Sequence, residues 1–469
     1  MRKTKIIATI GPATTSKEKI YDLISSGVDV FRINMSHEVQ TSLLEGAVNW
    51  IRSSAAKIGK SVAIIMDLCG PKIRVGDLTS TPLEISSGGN YTLSYINGDI
   101  PLNFPLEFDK RIEDGGQVKI DDGSLTFDIT KIECETLYLN AKNSGTIIKG
   151  KGVNFPGVDL DIAPLTEKDF KDIKLAVELG IDWLAMSFVR SPEDIEKISS
   201  FLKELGTSIP VIAKIEKPEA MENLSAIIQK FDGVLVARGD LGVEMPLQEL
   251  PRLQKSIVNE CLVRRKPVII ATQMLETMIN NANPTRAEVN DIANAIYDGA
   301  DAMMLSAETA IGDYPIESVE MMAGIADNIE SDLDLHNFNR YINDPTLRMK
   351  DKRNSICHAA MTLANDLSIQ IIVIMTESGK TAIQMSQYRP KSKIFALSHR
   401  VRTYQMLSLI RGIIPIHVDM FNSTDEMIDA CGEILMQYGY LNKGDSFIIT
   451  AGEKVGVSGT TNMLKIHRV

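Results

Sequence analysis

Short apolar runs that end abruptly in polar residues recur along this chain. Lys5-Ile-Ile-Ala-Thr-Ile10 stops at Gly11-Pro12, Val30-Phe-Arg-Ile-Asn-Met35 carries Arg32 and Asn34 on one side, and Val62-Ala-Ile-Ile-Met-Asp67 ends in an acid. After Pro164 follow Trp183–Phe188, Val211–Ala213, Val234–Ala237, Val268–Thr272 and Ala302–Ser306. Runs this short and this apolar read as buried parallel strands. Helical patterns separate them: Lys17–Ser26, a long stretch reaching Lys57, and Pro218–Lys230 with Met221, Leu224 and Ile228 in helical spacing. Eight strands alternating with helices predict a (β/α)8 TIM barrel, whose chemistry gathers at the C-terminal strand ends. Arg32, Asn34, Asp67, Lys214, Glu216, Asp240, Thr272, Ser306 and Glu308 all fall there. A doubly wound open sheet gathers ligands near one switch point and would not explain polar residues at almost every strand end.

The texture changes twice. Between about Val75 and Asp161 glycines cluster and β-favouring segments such as Tyr91–Tyr95 and Ser124–Thr130 replace helices, which predicts a small inserted β-barrel able to hinge as a lid. From Asp334 the segment DLHNFNRYINDPTLRMKD reads as a linker. Beyond it, strands near Ile371–Ile374, Lys393–Ala396, Ile413–Ile414 and Ser446–Ile449 predict a further α/β unit. The expected division is a catalytic barrel over 1–70 and 163–334, a lid over 71–162 and a C-terminal α/β regulatory domain over 335–469. In the last, the loop Thr376-Glu-Ser-Gly-Lys-Thr381 ends like a Walker A loop, but the earlier glycine would fall at Ile374, so a nucleotide P-loop is not expected. A phosphate nest at a helix N-terminus and a plain helix cap with a solvated lysine both remain open.

Composition narrows the function classes. A chain of 469 residues is expected to hold two to four domains. Its net charge of −11 argues against nonspecific nucleic-acid binding. Five scattered cysteines without a CxxC pair fit reduced thiols, with no disulfide framework and no zinc site. The apolar run after MRKTK is too short for a secretory signal, and no stretch has the length of a membrane span, so a cytoplasmic protein is expected.

The densest chemistry lies in Val211–Met245. Lys214 and Glu216, two apart on an extended strand, point to the same side; Arg238 and Asp240 follow the next strand, with Gly239 and Gly242 permitting close approach to backbone N–H groups. Glu216 and Asp240 together suit a hard divalent cation such as Mg2+ (or Mn2+), and Lys214 an anionic substrate or a developing negative charge. The plainer reading is internal salt bridges, Lys214 with Glu216 or Arg238 with Asp240. Four ionisable groups on adjacent strand ends favour a shared site.

Several segments, in this order and spacing, resemble the pyruvate kinases nearly end to end. They are Lys5–Pro12, Arg32-Ile-Asn-Met-Ser-His37, Gly70-Pro-Lys-Ile-Arg74, Lys151-Gly-Val-Asn154, Ala213-Lys-Ile-Glu216, Ala237-Arg-Gly-Asp-Leu-Gly242, Ala271-Thr-Gln-Met-Leu275, Asn283-Pro-Thr-Arg-Ala-Glu288 and Met304-Leu-Ser-Ala-Glu-Thr309. The resemblance implies phosphoryl transfer from phosphoenolpyruvate to ADP, giving pyruvate and ATP in glycolysis. It implies Mg2+ on Glu216 and Asp240, and the substrate carboxylate on the backbone of Arg238, Gly239 and Asp240 with Thr272. Arg32 and Lys214 would neutralise the phosphoryl group, and Thr272, Ser306 and Glu308 would form a proton relay to the enolate. Asn34, His37, Arg74 and Lys151 match nucleotide contacts. Thr376, Ser378, Gly379, Lys380 and Thr381 match an effector-phosphate loop, for a phosphorylated sugar or a nucleotide monophosphate. A homotetramer rests on the resemblance only.

One departure matters. The commoner family pattern Asp-Thr-Lys-Gly-Pro-Glu is here Asp67-Leu-Cys-Gly-Pro-Lys72. In the family Asn34, Ser36, Asp67 and the backbone of Leu68 would surround K+, with an acid at position 72. Lys72 supplies a fixed cation instead, so K+ is not expected to be required, as in the family branch carrying lysine there. Two other classes are carried alongside: a metal-dependent lyase or aldolase, which would need no ADP, and a non-catalytic effector-binding protein, which the intact Lys214, Glu216 and Asp240 oppose.

Overall fold

A computed structural model describes residues 2–36, 40–106, 116–133, 135–158, 162–332, 352–452, 456, 459 and 461–469. Eight parallel strands close into a barrel: Lys5–Thr9, Val30–Asn34, Ala63–Asp67, Trp183–Met186, Val211–Ile215, Gly233–Ala237, Val268–Ala271 and Ala302–Leu305. The ring is sealed by the first strand pairing with the eighth, Lys5 with Ala302 through Ala8 with Leu305. Nearly every strand residue is buried, which explains the unbroken apolar runs. The seventh and eighth strands end one residue before Thr272 and Ser306, the polar residues that close those two runs.

The helices form where the pattern placed them, with one difference. Lys17–Ser26 starts at Ser16, whose side chain accepts the Lys19 amide. Pro218–Lys230 is two helices, Pro218–Glu222 and Leu224–Lys230. Asn223 divides them: its Nδ2 donates to the carbonyls of Arg190 at 3.0 Å and Glu219 at 3.2 Å, competing with helical bonding.

Between the third and fourth barrel strands the chain leaves to build the all-β insertion. Its six-stranded sheet runs in the order Val153–Asn154, Gln117–Ile120, Leu125–Glu133, Thr136–Ala141, Asn90–Ser94, Ile100–Pro101; Leu83–Ile85 pairs separately with Gly145–Ile147. Both contribute to one core around Leu93, Phe127, Leu137, Ile147 and Phe155. Backbone pairing among the described residues does not run continuously round this unit, so its barrel character rests on the shared core.

The expected linker, 334–351, lies outside the described residues. From Lys352 the chain forms an α/β unit whose sheet runs Ile413–His417, Lys393–Ser398, Ile371–Met375, Ser446–Gly452, Thr461–Arg468. The last strand is antiparallel and was not legible: it is a half-exposed edge without a clean apolar face. This unit seats against the N-terminal ends of the barrel strands, opposite the mouth. There Lys5 Nζ donates to Ile413 O at 2.9 Å, Trp183 Nε1 to Met406 O at 3.0 Å, and the hydroxyls of Ser61 and Ser408 meet at 2.7 Å. Among the described residues no helix is long and apolar enough to cross a membrane.

At the mouth, Gly11 marks a close approach of backbone to backbone. A Cβ there would strike the carbonyl oxygen of Ala310, at the end of the short helix bearing Glu308. Gly11→Ala is expected to cost about 1–3 kcal/mol through overpacking. An unchanged midpoint of urea unfolding would show that the first strand yields freely.

Candidate active site

Asp67 is the hub of the mouth. It ends the third strand between Asn34 and Ala185 of the neighbouring strands and is 1% exposed. Its Oδ2 accepts Arg32 Nε at 2.8 Å and faces Arg32 Nη2 at 2.7 Å; its Oδ1 lies 3.3 Å from Lys214 Nζ. Both oxygens are therefore engaged by cations. Arg32 is steadied by Thr9 Oγ1 at 3.2 Å. Burial works to raise the Asp67 carboxyl, but Lys214 and then Arg32 overrule it and hold it below the usual carboxylate value.

Lys214 reaches three partners, Asp67, Glu216 Oε1 at 2.8 Å and Ser187 Oγ at 2.9 Å. Burial alone would lower its pKa; the carboxylates of Asp67, Glu216 and Asp240 prevail, raise it above 10.5 and keep the ammonium charged. The two-residue spacing on the strand thus acts as expected, and the Lys214–Glu216 salt bridge is present. The other suggested pair is not: Arg238 Nη1 meets Asp291 at 2.5 Å, while Nη2 donates to Thr272 O at 2.7 Å and Gln273 O at 3.2 Å. The Arg238 side chain braces the loop after the seventh strand, and only its backbone lies at the site.

Asp240 pairs instead with Lys72, whose Nζ is 3.3 Å from Oδ1. Lys72 was expected in the monovalent-cation pocket of Asn34, Ser36, Asp67 and Leu68; its ammonium extends to Asp240 instead. Glu216 is 1% exposed and also accepts the Phe188 amide at 2.8 Å. Burial raises its pKa despite Lys214, with Asp240 adding to the rise. Glu216 and Asp240 are near enough to feel each other's charge, and such a pair of carboxylates would suit a hard divalent cation. Among the described residues no group of three or more His, Cys, Asp or Glu forms a metal cage.

The sixth strand passes directly into a short helix, Arg238–Glu244. Its Gly239 amide donates to Thr272 Oγ1 at 2.8 Å, and that hydroxyl donates to Ala271 O at 2.6 Å. Thr272 and Gln273 adopt φ of +69° and +51°, a sparsely populated region for side-chain-bearing residues and a common signature of functional loops. Glu308, 2% exposed, accepts the amides of Ser306 at 2.7 Å and Leu275 at 3.1 Å. It ties the loops after the seventh and eighth strands together.

Asn34 Oδ1 accepts the Ser36 amide at 3.1 Å, a local cap; His37 lies outside the described residues. Arg74 and Lys151 are brought together on the lid. Val75 N donates to Lys151 O at 2.8 Å, Arg74 Nη1 to Gly150 O at 2.8 Å, and Lys151 Nζ pairs with Asp121 at 2.7 Å. In the C-terminal unit, Gly379 at φ +76° donates its amide to Thr376 Oγ1 at 3.0 Å, Lys380 opens a helix, and Thr381 Oγ1 meets Thr461 Oγ1 at 2.8 Å. Ser378 lies in the same turn, between Glu377 and Gly379. The neighbouring Glu377 is held by Arg400 at 2.9 Å and His399 at 3.2 Å.

Ser187 was missed. Its hydroxyl sits between Lys214 Nζ and Leu68 O, the latter at 2.7 Å. The available signal was its place at the C-terminal end of the fourth strand, which with the first gave no candidate.

The comparisons agree with this geometry. Residues 1–319 match the family model described as pyruvate kinase, barrel domain, and residues 354–467 the one described as pyruvate kinase, alpha/beta domain. A pyruvate kinase of Clostridium acetobutylicum is 39% identical over 479 residues, covering the whole of both chains. Pyruvate kinase 2 of Synechocystis sp. is 39% identical over 477 residues, covering all of this chain and 79% of that protein. A Bacillus licheniformis pyruvate kinase is 40% identical over 483 residues, with 81% of its length covered. With both domain models matched over most of its length and relatives near 40% identity end to end, the chain belongs to the pyruvate kinase family.

Proposed function

We propose that this chain transfers the phosphoryl group of phosphoenolpyruvate to ADP, giving pyruvate and ATP in glycolysis, with Mg2+ and without a need for K+. The observation that carries the reading is the mouth itself: Arg32 and Lys214, both held on Asp67, stand beside Glu216 and Asp240. Phosphoryl transfer depends mainly on positioning and charge neutralisation, and this is a preorganised set of charges. Glu216 and Asp240 would hold Mg2+, which when bound supplies charge neutralisation for the phosphoryl oxygens. Arg32 and Lys214 orient the same group, and Lys214 faces the enolate oxygen released by transfer. Backbone N–H groups of Arg238, Gly239 and Asp240, with the Thr272 hydroxyl, bind the substrate carboxylate. Thr272, Ser306 and Glu308 belong to the path that delivers a proton to carbon. Asn34, His37, Arg74 and Lys151 contact the nucleotide.

K+ is not needed where the fixed charges of the site already balance. Asp67 already has both oxygens engaged by Arg32 and Lys214, and Lys72 adds a third fixed cation across the site. A further monovalent cation would enter a site whose three carboxylates already face three cations. The loop Thr376–Thr381 suits an effector phosphate from a sugar or a nucleotide monophosphate. A cytoplasmic homotetramer completes the reading.

Pyruvate release from phosphoenolpyruvate, ADP and Mg2+ in K+-free buffer tests this, repeated with KCl and with a chelator. Turnover unchanged by KCl and abolished by the chelator is the expected result. Strong activation by KCl would remove the Lys72 argument and keep the kinase; pyruvate formed without ADP would favour a metal-dependent lyase.

A further inference from the structure

The short helix Arg238–Glu244 is gripped from the lid. Asn154 Nδ2, on a lid strand, donates to Glu244 Oε1 at 2.8 Å, and Lys119 Nζ, on the paired strand, donates to Val243 O at 2.6 Å. Lys72, on the connection into the lid, reaches Asp240 on the same helix. Glu244 has a side chain only 1% exposed, and its Oε1 also takes Lys217 Nζ from the loop after the fifth strand at 2.5 Å. One buried carboxylate oxygen therefore joins the barrel to the lid.

We propose that Glu244 is the latch that holds the lid closed over the mouth, through Asn154, with Lys217 fixing its carboxylate. This rests on the phosphoryl-transfer reading, in which Arg74 and Lys151 on the lid contact the nucleotide. If the lid swings away, Glu244 loses its amide donor and the cleft is hydrated; closure regains a hydrogen bond to a charged acceptor, stronger than a neutral one. The closed fraction then scales the apparent nucleotide affinity, because only the closed lid presents Arg74 and Lys151 to it. Phosphoenolpyruvate binds on the barrel and is affected less. Glu244 is thus a positioning residue that acts through the lid and touches no reacting atom.

Steady-state kinetics on a paired exchange tests the latch. Asn154→Asp sets two carboxylates against each other and is expected to raise KM for ADP about tenfold or more, with KM for phosphoenolpyruvate changed by less than about threefold. Adding Glu244→Gln restores a donor–acceptor pair in the opposite sense, leaves Lys217 a carboxylate at 154, and should return KM for ADP to within about threefold of the parent. An unaltered KM in Asn154→Asp, or no recovery in the double variant, overturns the proposal. Should Asn154→Asp not fold, Lys119→Met removes the other grip at a partly exposed position. It should raise KM for ADP by about threefold at an unchanged melting temperature, and an unaltered KM overturns the proposal equally. Absence of pyruvate from the parent enzyme would remove the underlying reaction instead.

Discussion

Lys214→Gln is expected to lower kcat by about three orders of magnitude while the protein stays folded. Among the described residues Lys214 touches Asp67, Glu216 and Ser187 together, and in the proposed reaction it would supply the positive charge that faces the enolate oxygen. An amide at the same place can donate a hydrogen bond but cannot neutralise an enolate. Folding should survive because the two carboxylates it leaves are not equally exposed to the loss. Asp67 keeps Arg32 on its Oδ2, and Glu216, raised by burial, can take up a proton where a charge would be costly. The stability lost with the ammonium does not vary across the assay range. A folded-state pKa above 10.5 means Lys214 contributes its stability in full below that value and loses it only as pH rises through the higher folded pKa, outside any assay range. Lys214→Arg should recover little, because a planar fork does not fit where a point charge bridges three partners. Rapid-quench measurement of the phosphoryl-transfer step decides the matter: a rate within about tenfold of the parent would assign the chemistry to Arg32 and Mg2+ without Lys214.

The strand ends were legible because a parallel barrel strand is apolar until its last residue, so a charge there breaks a pattern. Lys214 and Glu216, Asp67 and Arg32 all declared themselves in this way, and the structure brings them within hydrogen-bonding distance. Ser187 did not, since a serine closing an apolar run is unremarkable and its value lies in what it touches. Pairings across long sequence distances were the other blind spot. Arg238 lies two residues from Asp240, yet its guanidinium goes to Asp291, and Asp240 takes Lys72 from the lid connection. Local spacing cannot separate these outcomes because loop closure makes both equally accessible. The same holds for Glu244 and Asn154, 90 residues apart, whose contact exists only once the lid has docked. The helix expected over Pro218–Lys230 is divided at Asn223, whose side chain draws backbone carbonyls to itself.

Asp301→Ala is expected to destabilise the chain by about 3–5 kcal/mol, although Asp301 lies at the end of the barrel remote from the chemistry. It precedes the eighth strand and is fully buried. Its Oδ2 accepts the Val268 amide at 2.9 Å, and its Oδ1 accepts Gln387 Nε2 at 3.1 Å and Arg389 Nη2 at 3.0 Å from the C-terminal unit. Both Asp301 and Arg389 have side chains 1% exposed. Alanine would remove the Asp301 carboxylate from the Arg389 guanidinium in a cleft where Arg411 is also buried, its pKa already lowered to about 10 by burial and by Arg389. Arg389→Met should cost less, because Asp301 keeps the Val268 and Gln387 donors. The double variant should cost less than the sum of the two, since each single change already removes the same ion pair. Urea unfolding followed separately by a barrel probe, Trp183, and by far-ultraviolet dichroism checks this in a chain whose domains need not unfold as one. Additive losses would mean that the two residues stabilise their own domains independently, and that the ion pair is not what welds the C-terminal unit to the barrel.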